Sequence, residues 1–362
     1  MTWFKTTILS PSFWLGKTHY DRQPSKLTVT VVIPAWNEED CIAATIETLL
    51  KQTYPIKIIV VDDASTDSTP DIVKKYPVQL ITTHQNQGSK SQALNYSLSY
   101  IDTDIFICVD ADTVLEPNSI QNLLYAFNDE DTMIACGHVY SNGDDNFWKA
   151  ARFGEYLFGQ SVVKSAQQNS NIVLVASGCF FGIRSEYLLK KRFDTRTMAE
   201  DMDLTWNAIE DGYRVSFVHD AKCTVNDPSS HYLYEKQVTR WYRGFFQNMV
   251  VRNYDLFSKN PKLGIIAYAY MLMNMIGLPL AMVLMLTVVG PITAIISMAL
   301  GFLVIVALTM FDRRKERIPL HKFAMYAGCY FIISFYVYWL FVKSAFYEMI
   351  LKQKLDVWVK GH

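Results

Sequence analysis

Two aspartates separated by one residue, Asp110 and Asp112, directly follow the short apolar run Ile105–Val109. Mg²⁺ and Mn²⁺ prefer oxygen ligands and commonly take one or two protein carboxylates together with substrate phosphates. Aspartates at this spacing also occur by chance on protein surfaces. A metal site is favoured here because the pair follows the end of a predicted buried strand. The pair predicts a site for Mg²⁺ or Mn²⁺ and a phosphate-bearing ligand.

A second acidic pair, Asp62 and Asp63, ends the apolar run Lys57–Val61. A carboxylate at this position can accept hydrogen bonds from a base N–H or from ribose hydroxyls. Aspartate and serine side chains also satisfy backbone donors in turns, so a purely structural turn is the alternative.

A third acidic pair, Glu200 and Asp201, lies at a predicted helix start. Acidic residues in a first helical turn stabilise the helix dipole, which is one interpretation. The other is a general base that takes a proton from a sugar hydroxyl.

The segment Gln237-Val-Thr-Arg240-Trp241 combines an amide, a guanidinium and an indole on adjoining faces of one predicted helix. The first two groups can bind diphosphate or sugar hydroxyls, and an indole face can stack on a sugar ring. An interfacial helix with tryptophan at headgroup depth is the alternative.

The elements that must position these residues alternate between strand and helix. The predicted strands are Thr28–Ile33, Lys57–Val61, Val78–Thr82 and Ile105–Val109. The predicted helices between them are Asp40–Lys51, a helix starting near Ser68, and Lys90–Tyr100. This alternation predicts an α/β fold with a parallel sheet, whose ligands bind beyond the carboxyl ends of the strands. The polar clusters after Ile33, Val61 and Val109 all fall there.

The pattern changes after Asn146. Helices are predicted at Phe147–Ala166, near Glu200 and at Lys236–Met249, and the apolar run Ile172–Ala176 leads into Ser177-Gly178-Cys179.

Charge is distributed unevenly along the chain. Hydrophobic residues make up 50% and charged residues 19%, yet Leu263–Phe311 and Phe323–Val342 contain no Asp, Glu, Lys or Arg. A membrane span needs about 20 apolar residues. The first stretch therefore predicts two spans with a turn near Gly290-Pro291, and the second stretch predicts a third span. Buried core helices are the alternative. The basic stretch Asp312–Arg317 predicts a cytoplasmic connection.

Other features limit the class of protein. The net charge of −1 excludes general nucleic-acid binding, which needs a basic surface. The six cysteines form no CxxC pair, so they are expected to be reduced thiols rather than a disulfide framework or zinc site. Trp3, Phe4, Phe13 and Trp14 suit either an interfacial segment or a terminus packed on the catalytic domain.

The ordered set of motifs resembles glycosyltransferase family 2, most closely its processive membrane branch of cellulose, chitin, hyaluronan, chitooligosaccharide and poly-N-acetylglucosamine synthases. The resemblance covers about Thr28 to Gly244. The motifs are Val32–Glu38, Val60–Asp67, Lys90 with Ala93–Asn95, Asp110-Ala-Asp112, Glu200–Leu204 and Gln237-x-x-Arg240-Trp241.

The resemblance implies a GT-A fold, inversion at the anomeric carbon, a UDP-sugar donor, and roles for particular residues. It assigns Asp201 as the base with Glu200 beside it, and Asp110 and Asp112 as ligands of Mg²⁺ or Mn²⁺. The residues that it assigns to the nucleotide-sugar are Pro34, Ala35, Asn37, Glu38, Asp62, Asp63, Lys90 and Asp110. Those that it assigns to the acceptor or diphosphate are Ser177, Gly178, Cys179, Gln237, Arg240 and Trp241.

The expected organisation follows from these observations. It comprises an interfacial segment (1–27), a GT-A domain (28–243), an interfacial helix or linker (244–262), about three transmembrane helices (263–351) and a tail (352–362). The catalytic domain is expected to be cytoplasmic. Two departures stand out: Ala199 replaces the threonine common before the acidic pair, and no span precedes Thr28, which argues against a complete export channel within one chain.

Three functions remain open. The first is synthesis of a β-linked polysaccharide or oligosaccharide, from UDP-N-acetylglucosamine as the first expectation and UDP-glucose as the second. The second is transfer of a single sugar to a membrane lipid, as in ceramide glucosyltransferase. The third is a membrane transporter or scaffold that only binds nucleotide, for which Asp201 and Trp241 would have no use.

Overall fold

The computed structural model describes residues 20–23, 26–143, 146–253, 255–293 and 318–353, with residues 296, 300, 303, 306 and 307. They fall into two compact units. The first lies within Met1–Asn142 and Lys164–Asn226, and the second within Gly143–Val163 and Asp227–Leu355. The aromatic residues before Tyr20 and the basic stretch Asp312–Arg317 lie outside the described residues.

The first unit is built on one mixed β-sheet. Over the described part of the chain the sheet has eight strands, in the order β3-β2-β1-β4-β7-β6-β8-β5. The strands are β1 (Val29–Ala35), β2 (Lys57–Asp62), β3 (Gln79–Thr82), β4 (Ile105–Val109), β5 (Thr113–Leu115), β6 (Thr132–Ser141), β7 (Phe180–Arg184) and β8 (Arg214–Val225).

Strands β1 to β4 pair in parallel, as the sequence predicts. The central residues of β1, β2 and β4 are buried, which explains why these three strands are continuous apolar runs. The sequence predicts that the first strand ends at Ile33, before Pro34, and this end is wrong because β1 stays paired with β2 through Ala35. Pairing of β1 with β4 stops at Val32, so the N–H that Pro34 lacks is not required on that side.

Beyond the four predicted parallel strands the sheet is mixed, and β7 runs antiparallel to both β4 and β6. Phe180 pairs with Val109, so β7 begins where β4 ends. The chain therefore returns to the carboxyl end of β4 before it enters the sheet. As a consequence, Ser177-Gly178-Cys179 lies beside the residues that follow β4.

Helices cover the sheet of the first unit. Its α-helices are α1 (Ile42–Leu50), α2 (Thr69–Val73), α3 (Lys90–Ser97), α4 (Ser119–Leu124), α6 (Ser165–Asn169), α7 (Ser185–Lys191) and α8 (Glu200–Glu210), with α5 described below. Short 3₁₀ turns follow at Leu98–Tyr100 and Tyr125–Asn128. Helix α1 buries Ile42, Ile46 and Leu49, the helical spacing read in the sequence. Pro70 lies in the first turn of α2, where its missing N–H costs nothing.

The second unit is helical in its described residues. Its α-helices are α5 (Phe147–Phe158), α9 (His231–Arg252), α10 (Asp255–Lys259), α11 (Pro261–Leu272), α12 (Leu278–Leu284) and α13 (Leu320–Ala345). π-Helical segments adjoin them at Gly159–Lys164, Met273–Gly277, Met285–Val289 and Phe346–Ile350. The predicted helices Phe147–Ala166 and Lys236–Met249 are confirmed, with ends that extend further.

Helices α5, α9 and α13 share a core that contains Ala151, Tyr234, Val238, Ile333 and Leu340. A Cβ on Gly154 would lie 2.5 Å from the carbonyl oxygen of Tyr326, so glycine permits close approach of α5 and α13. Ion pairs join α9 to the C-terminal end of this unit, between Lys343 and Glu235 at 3.0 Å and between Arg243 and Glu348 at 2.7 Å. Packing and charge pairing together hold these helices.

One helix among the described residues, Leu320–Ile350, is long and apolar enough to cross a membrane, judged by its 31 residues and their composition. It coincides with the third predicted span. The helical run from Pro261 to Val289 covers the first predicted span and ends at Gly290, whose φ is +92°. Large apolar side chains are exposed along it: Ile265, Leu272, Met273, Ile276, Leu280, Val283, Leu284, Leu286 and Val288. Most of the second predicted span lies outside the described residues.

Candidate active site

The acidic pair after β4 meets Lys90, the first residue of α3. Ser89 caps this helix by accepting a hydrogen bond from the N–H of Gln92. The cap fixes the start of the helix and so the backbone position of Lys90. The Lys90 ammonium forms an ion pair with Asp110 and lies 3.7 Å from Glu200. Burial opposes the charged form, but Asp110 and then Glu200 outweigh it and hold the pKa of Lys90 well above its usual range. Lys90 is therefore a fixed cation between two acidic segments.

Gly178 connects this cation to Asp201. Its N–H donates to Oδ2 of Asp201 at 2.9 Å, and its carbonyl oxygen accepts a hydrogen bond from Nζ of Lys90 at 2.9 Å. A Cβ at this position would lie 2.8 Å from the same Oδ2 atom. Only glycine therefore allows the backbone to approach the carboxylate this closely.

Asp201 lies in the first turn of α8, together with Glu200 and Asp203. Its Oδ1 accepts the N–H of Met202 at 2.8 Å. Burial is the main cause that raises the pKa of Asp201 to about 6, and the neighbouring Glu200 carboxylate adds to it. A carboxylate with a pKa near 6 is ionised at neutral pH and is still basic enough to accept a proton in a general-base step.

The acidic pair after β2 is buried and holds neighbouring loops. Asp63 accepts hydrogen bonds from the hydroxyl of Thr83 at 2.9 Å and from the N–H of Gln87 at 3.0 Å. Asp62 accepts the N–H of Ser65 at 3.2 Å, which is the turn contact expected from the structural alternative. Burial raises the pKa of Asp63. The pair therefore organises the edge of the sheet, whichever ligand binds there.

The segment Pro34–Glu38 is tied to the loop after β2. Asn37 has a φ of +55°, a conformation that asparagine tolerates better than most residues. Its Oδ1 accepts the N–H of Thr66 at 2.8 Å, and the N–H of Glu38 donates to the hydroxyl of Thr69 at 2.7 Å. These bonds place Pro34, Ala35, Asn37 and Glu38 beside the loop that carries Asp62 and Asp63.

Asp110 and Asp112 provide hard, partly exposed oxygens of the type that Mg²⁺ and Mn²⁺ prefer. No group of three or more His, Cys, Asp or Glu side chains able to hold a metal ion occurs in the ranges given above. Two carboxylates leave most positions of a Mg²⁺ or Mn²⁺ shell open, so a cation here would need further oxygens from a bound ligand. The N–H of Asp110 donates to the carbonyl of Cys179 at 3.1 Å, which fixes the start of this loop.

Lys164 is a residue of this site that sequence reasoning missed. Its Nζ donates to the hydroxyl of Ser177 at 2.5 Å and lies 3.7 Å from the sulfur of Cys136. The Lys164 side chain is buried. The signal in the sequence is a lysine that directly follows the apolar pair Val162-Val163. Lys164 therefore holds the segment Ser177-Gly178-Cys179 through its hydrogen bond to Ser177.

Gln237, Arg240 and Trp241 belong to α9, in the second unit. Gln237 and Trp241 are four residues apart and share a face of the helix. The guanidinium of Arg152, which the sequence analysis also missed, donates from Nη2 to Oε1 of Gln237 at 2.7 Å. The structure therefore brings Lys90, Asp110, Gly178, Glu200 and Asp201 together in the first unit, and Gln237 and Trp241 together in the second.

In open α/β folds ligands bind beyond the carboxyl ends of the strands, and the acidic residues of this chain lie at that edge. Residues 30–190 match the family model described as "Glycosyl transferase family 2". The chain therefore contains a glycosyl transferase family 2 domain.

The chain is also similar in sequence to two polysaccharide synthases. The chain is 28% identical to hyaluronan synthase from Streptococcus pyogenes over 250 residues, which are 63% of this chain and 59% of that one. It is 24% identical to poly-beta-1,6-N-acetyl-D-glucosamine synthase from Staphylococcus aureus over 244 residues, again 63% of this chain and 59% of the other. The chain thus spans about three fifths of the length of these relatives.

A solved structure shares the fold. The mannosyltransferase PcManGT from Pyrobaculum calidifontis, in complex with GDP-Man and Mn²⁺, aligns with a TM-score of 0.59 and 21% sequence identity. The alignment covers 92% of this chain and 95% of that one. The GT-A-like α/β fold expected from the motifs is therefore confirmed.

Proposed function

We propose that the protein is a membrane-bound inverting glycosyltransferase that extends a β-linked polysaccharide or oligosaccharide from a UDP-sugar. The observation that carries this proposal is Asp201, a carboxylate whose pKa is raised to about 6 and which Gly178 holds beside Lys90. UDP-N-acetylglucosamine is the first donor to test, and UDP-glucose is the second.

The reaction is a single displacement at the anomeric carbon. The acceptor hydroxyl oxygen forms a bond to that carbon while the bond to the diphosphate oxygen breaks. Asp201 takes the hydroxyl proton, and UDP leaves with the bonding electron pair. Attack from the face opposite the nucleotide inverts the configuration, so no covalent enzyme intermediate forms.

The cation Lys90 and the carboxylates Asp110 and Asp112 act on the donor side. Mg²⁺ or Mn²⁺ held by these two carboxylates would supply positive charge against the diphosphate when bound. Lys90, paired with Asp110, adds a second positive charge at the same edge of the sheet. The loop residues Pro34, Ala35, Asn37 and Glu38 and the pair Asp62 and Asp63 bind the nucleotide part of the donor. On the acceptor or diphosphate side we assign Ser177, Gly178, Cys179, Gln237, Arg240 and Trp241.

The membrane assignment rests on the helices of the second unit. Exposed apolar side chains on Pro261–Val289 and on Leu320–Ile350, such as Ile276, Val288 and Ile332, suit contact with lipid. The catalytic unit would then face the cytoplasm, where nucleotide-sugars are made. The same apolar surface could present a lipid acceptor, so the product decides between polymer synthesis and glycolipid synthesis.

The deciding experiment uses the full chain in detergent or nanodiscs with a panel of UDP-sugars. UDP release is measured, and the products are analysed by mass spectrometry. We expect UDP release from one donor and an oligosaccharide or polymer product, with Asp201→Asn as the inactive control. A single sugar on lipid would establish the glycolipid alternative. Binding of UDP-sugars without any UDP release would favour a transporter or scaffold and overturn the proposal.

A further inference from the structure

The buried guanidinium of Arg152 contacts acidic, amide and aromatic groups of the second unit at the same time. Nη1 donates to Glu155 at 2.7 Å, Nη2 donates to Gln237 at 2.7 Å, and Nε lies 3.8 Å from Asp227. The side chains of Arg152 and Asp227 have no solvent exposure. Two hydrogen bonds from its terminal nitrogens and an ion pair with Asp227 therefore hold the guanidinium in one orientation.

Aromatic rings confine the same group. The guanidinium carbon lies 4.3 Å from the ring centre of Tyr234 and 4.6 Å from that of Trp241. Both distances are within the range of cation–π attraction, which strengthens when the cation is desolvated. Tyr234 also donates its hydroxyl to Glu155 at 3.0 Å. Arg152 therefore restricts the indole of Trp241 as well as the amide of Gln237.

The chemistry of arginine determines which way the Gln237 amide points. A guanidinium is a donor only, so it pairs with the amide oxygen and never with the NH₂ group. The NH₂ group of Gln237 is then directed away from Arg152 and has no protein partner within the described residues. The NH₂ group of Gln237 is thus free to donate to an accepting oxygen of water or of a ligand.

Packing alone does not require a cation at this position. Helices α5 and α9 already share the apolar contacts of Ala151, Tyr234 and Val238. A buried ion pair loses its hydration, and well-packed apolar residues often replace one without loss of stability. A fully buried arginine that reaches the amide and the indole of one motif is therefore better explained by the orientation of that motif.

We propose that Arg152 is a positioning residue that fixes Gln237 as a hydrogen-bond donor to the acceptor sugar and holds the Trp241 ring ready to stack on it. This inference rests on the proposed function, because it assumes an acceptor sugar. Arg152 itself touches no substrate. It acts through Gln237 and Trp241.

The first test compares Arg152→Lys with Arg243→Lys, a matched control on another guanidinium of the second unit. Arg243 donates to Oε1 of Glu348, which also accepts a hydrogen bond from Gln247. Transfer is measured from the UDP-sugar to a short β-linked N-acetylglucosamine oligosaccharide. For Arg152→Lys we expect kcat/KM for the oligosaccharide to fall about tenfold or more, which corresponds to about 1.4 kcal/mol. The KM for the UDP-sugar should stay within about twofold, a separation that general destabilisation does not produce. The control should change neither constant by more than about twofold.

The second test is a double-mutant cycle of Arg152→Lys with Gln237→Ala. If Arg152 acts through Gln237, Arg152→Lys should cost much less in the Gln237→Ala background than in the original chain. Gln237→Glu keeps an oxygen for Arg152 but removes the NH₂ donor, so it should lose as much acceptor affinity as Gln237→Ala. This comparison also decides the matter if Arg152→Lys fails to fold.

Three results would overturn the inference. They are additive effects in the cycle, a Gln237→Glu variant with normal acceptor KM, or an increase in the KM of the UDP-sugar instead of the acceptor. Failure of the proposed function is distinguishable, because the unaltered chain would then release no UDP from any UDP-sugar.

Discussion

The two units of the protein build polar sites in different ways. In the first unit, carboxylates at the ends of strands and in the first turn of α8 are held by backbone N–H groups and by Lys90. In the second unit, the guanidinium of Arg152 on α5 is enclosed by groups of α9. These are the amide of Gln237 and the rings of Tyr234 and Trp241. The first arrangement suits proton transfer and diphosphate binding, whereas the second suits orientation of a donor amide and an aromatic ring.

The difference also concerns how each site tolerates change. Around Asp201 the critical contact is a backbone N–H that only glycine can bring close enough. Around Gln237 the critical contact is with a side chain, the guanidinium of Arg152. The predictions below test whether chemistry resides in the first unit and is supported by the second.

The largest expected effect is loss of activity on removal of divalent cations. Because Asp110 and Asp112 offer only two carboxylates, a cation held there would need further oxygens from the diphosphate and would be accessible to chelators. EDTA should abolish UDP release, and excess Mg²⁺ or Mn²⁺ should restore it. EDTA saturated with Mg²⁺ beforehand is the control and should have no effect. Full activity in free EDTA would remove the metal from the proposed site.

The next largest effect is expected for Asp201→Asn. The amide cannot accept the hydroxyl proton, so turnover should fall by at least the ~10²-fold typical of losing a general base. Calorimetric titration should show nearly unchanged UDP-sugar affinity. Glu186→Gln, an exposed acid paired with Lys190, is the control and should leave both quantities unchanged. An equal loss of binding would make Asp201 a structural or nucleotide-contacting residue, and a neutral result would move the role to Glu200 or Asp203.

A smaller effect, about tenfold in turnover, is expected for Gly178→Ala. The new methyl group would lie 2.8 Å from Oδ2 of Asp201 and must displace the carboxylate. The Gly178 carbonyl that accepts from Lys90 is kept, so UDP-sugar affinity should change little. Gly159→Ala, where a Cβ meets nothing within 4 Å, is the matched control. Wild-type turnover of Gly178→Ala would show that the backbone contact does not position the base.

The dependence on pH follows from the raised pKa of Asp201. The base must be ionised, so kcat/KM should rise with pH through about 6 and then level off. This limb of the profile should be lost from the residual activity of Asp201→Asn. The pKa of Asp201 rises from its ordinary value of 3.8 to about 6 on folding, so between these pH values the native state binds the proton more tightly than the unfolded chain. The contribution of Asp201 to the free energy of unfolding should therefore decrease as pH rises from 3.8 to about 6. A profile without an ionisation near 6 in the unaltered enzyme would contradict the assignment.

The last prediction leaves activity unchanged and concerns the apolar helices of the second unit. If the first two spans form a hairpin, Arg314→Cys should be protected from a membrane-impermeant thiol reagent in intact cells, because basic segments stay cytoplasmic. Lys360→Cys should be labelled if the third helix crosses. The unaltered chain, with its six free cysteines, measures background labelling. Labelling at Arg314→Cys would overturn the topology, whereas protection at Lys360→Cys would remove only the third crossing.

The amino-acid sequence alone determined the parallel half of the sheet and the acidic residues that follow its strands. A strand buried on both faces needs a continuous apolar run, and Ile105–Val109 is such a run in both sequence and structure. Because parallel strands end at one edge, Asp62 and Asp110 were predicted at the same edge without knowledge of their contacts. The general base was predicted only by family resemblance, since the sequence by itself left a helix-capping acid equally open.

The tertiary structure alone decided which of these residues touch. Gly178 contacts Lys90, which is 88 positions away in the sequence, and Asp201, which is 23 positions away. Arg152 contacts Gln237, which is 85 positions away. Such contacts depend on how distant segments pair, as in the antiparallel entry of β7 beside the end of β4. Burial of Asp201, which raises its pKa, arises in the same way. Periodicity reports the local environment of a segment, whereas a catalytic pKa and a fixed amide orientation arise from neighbours that only folding brings together.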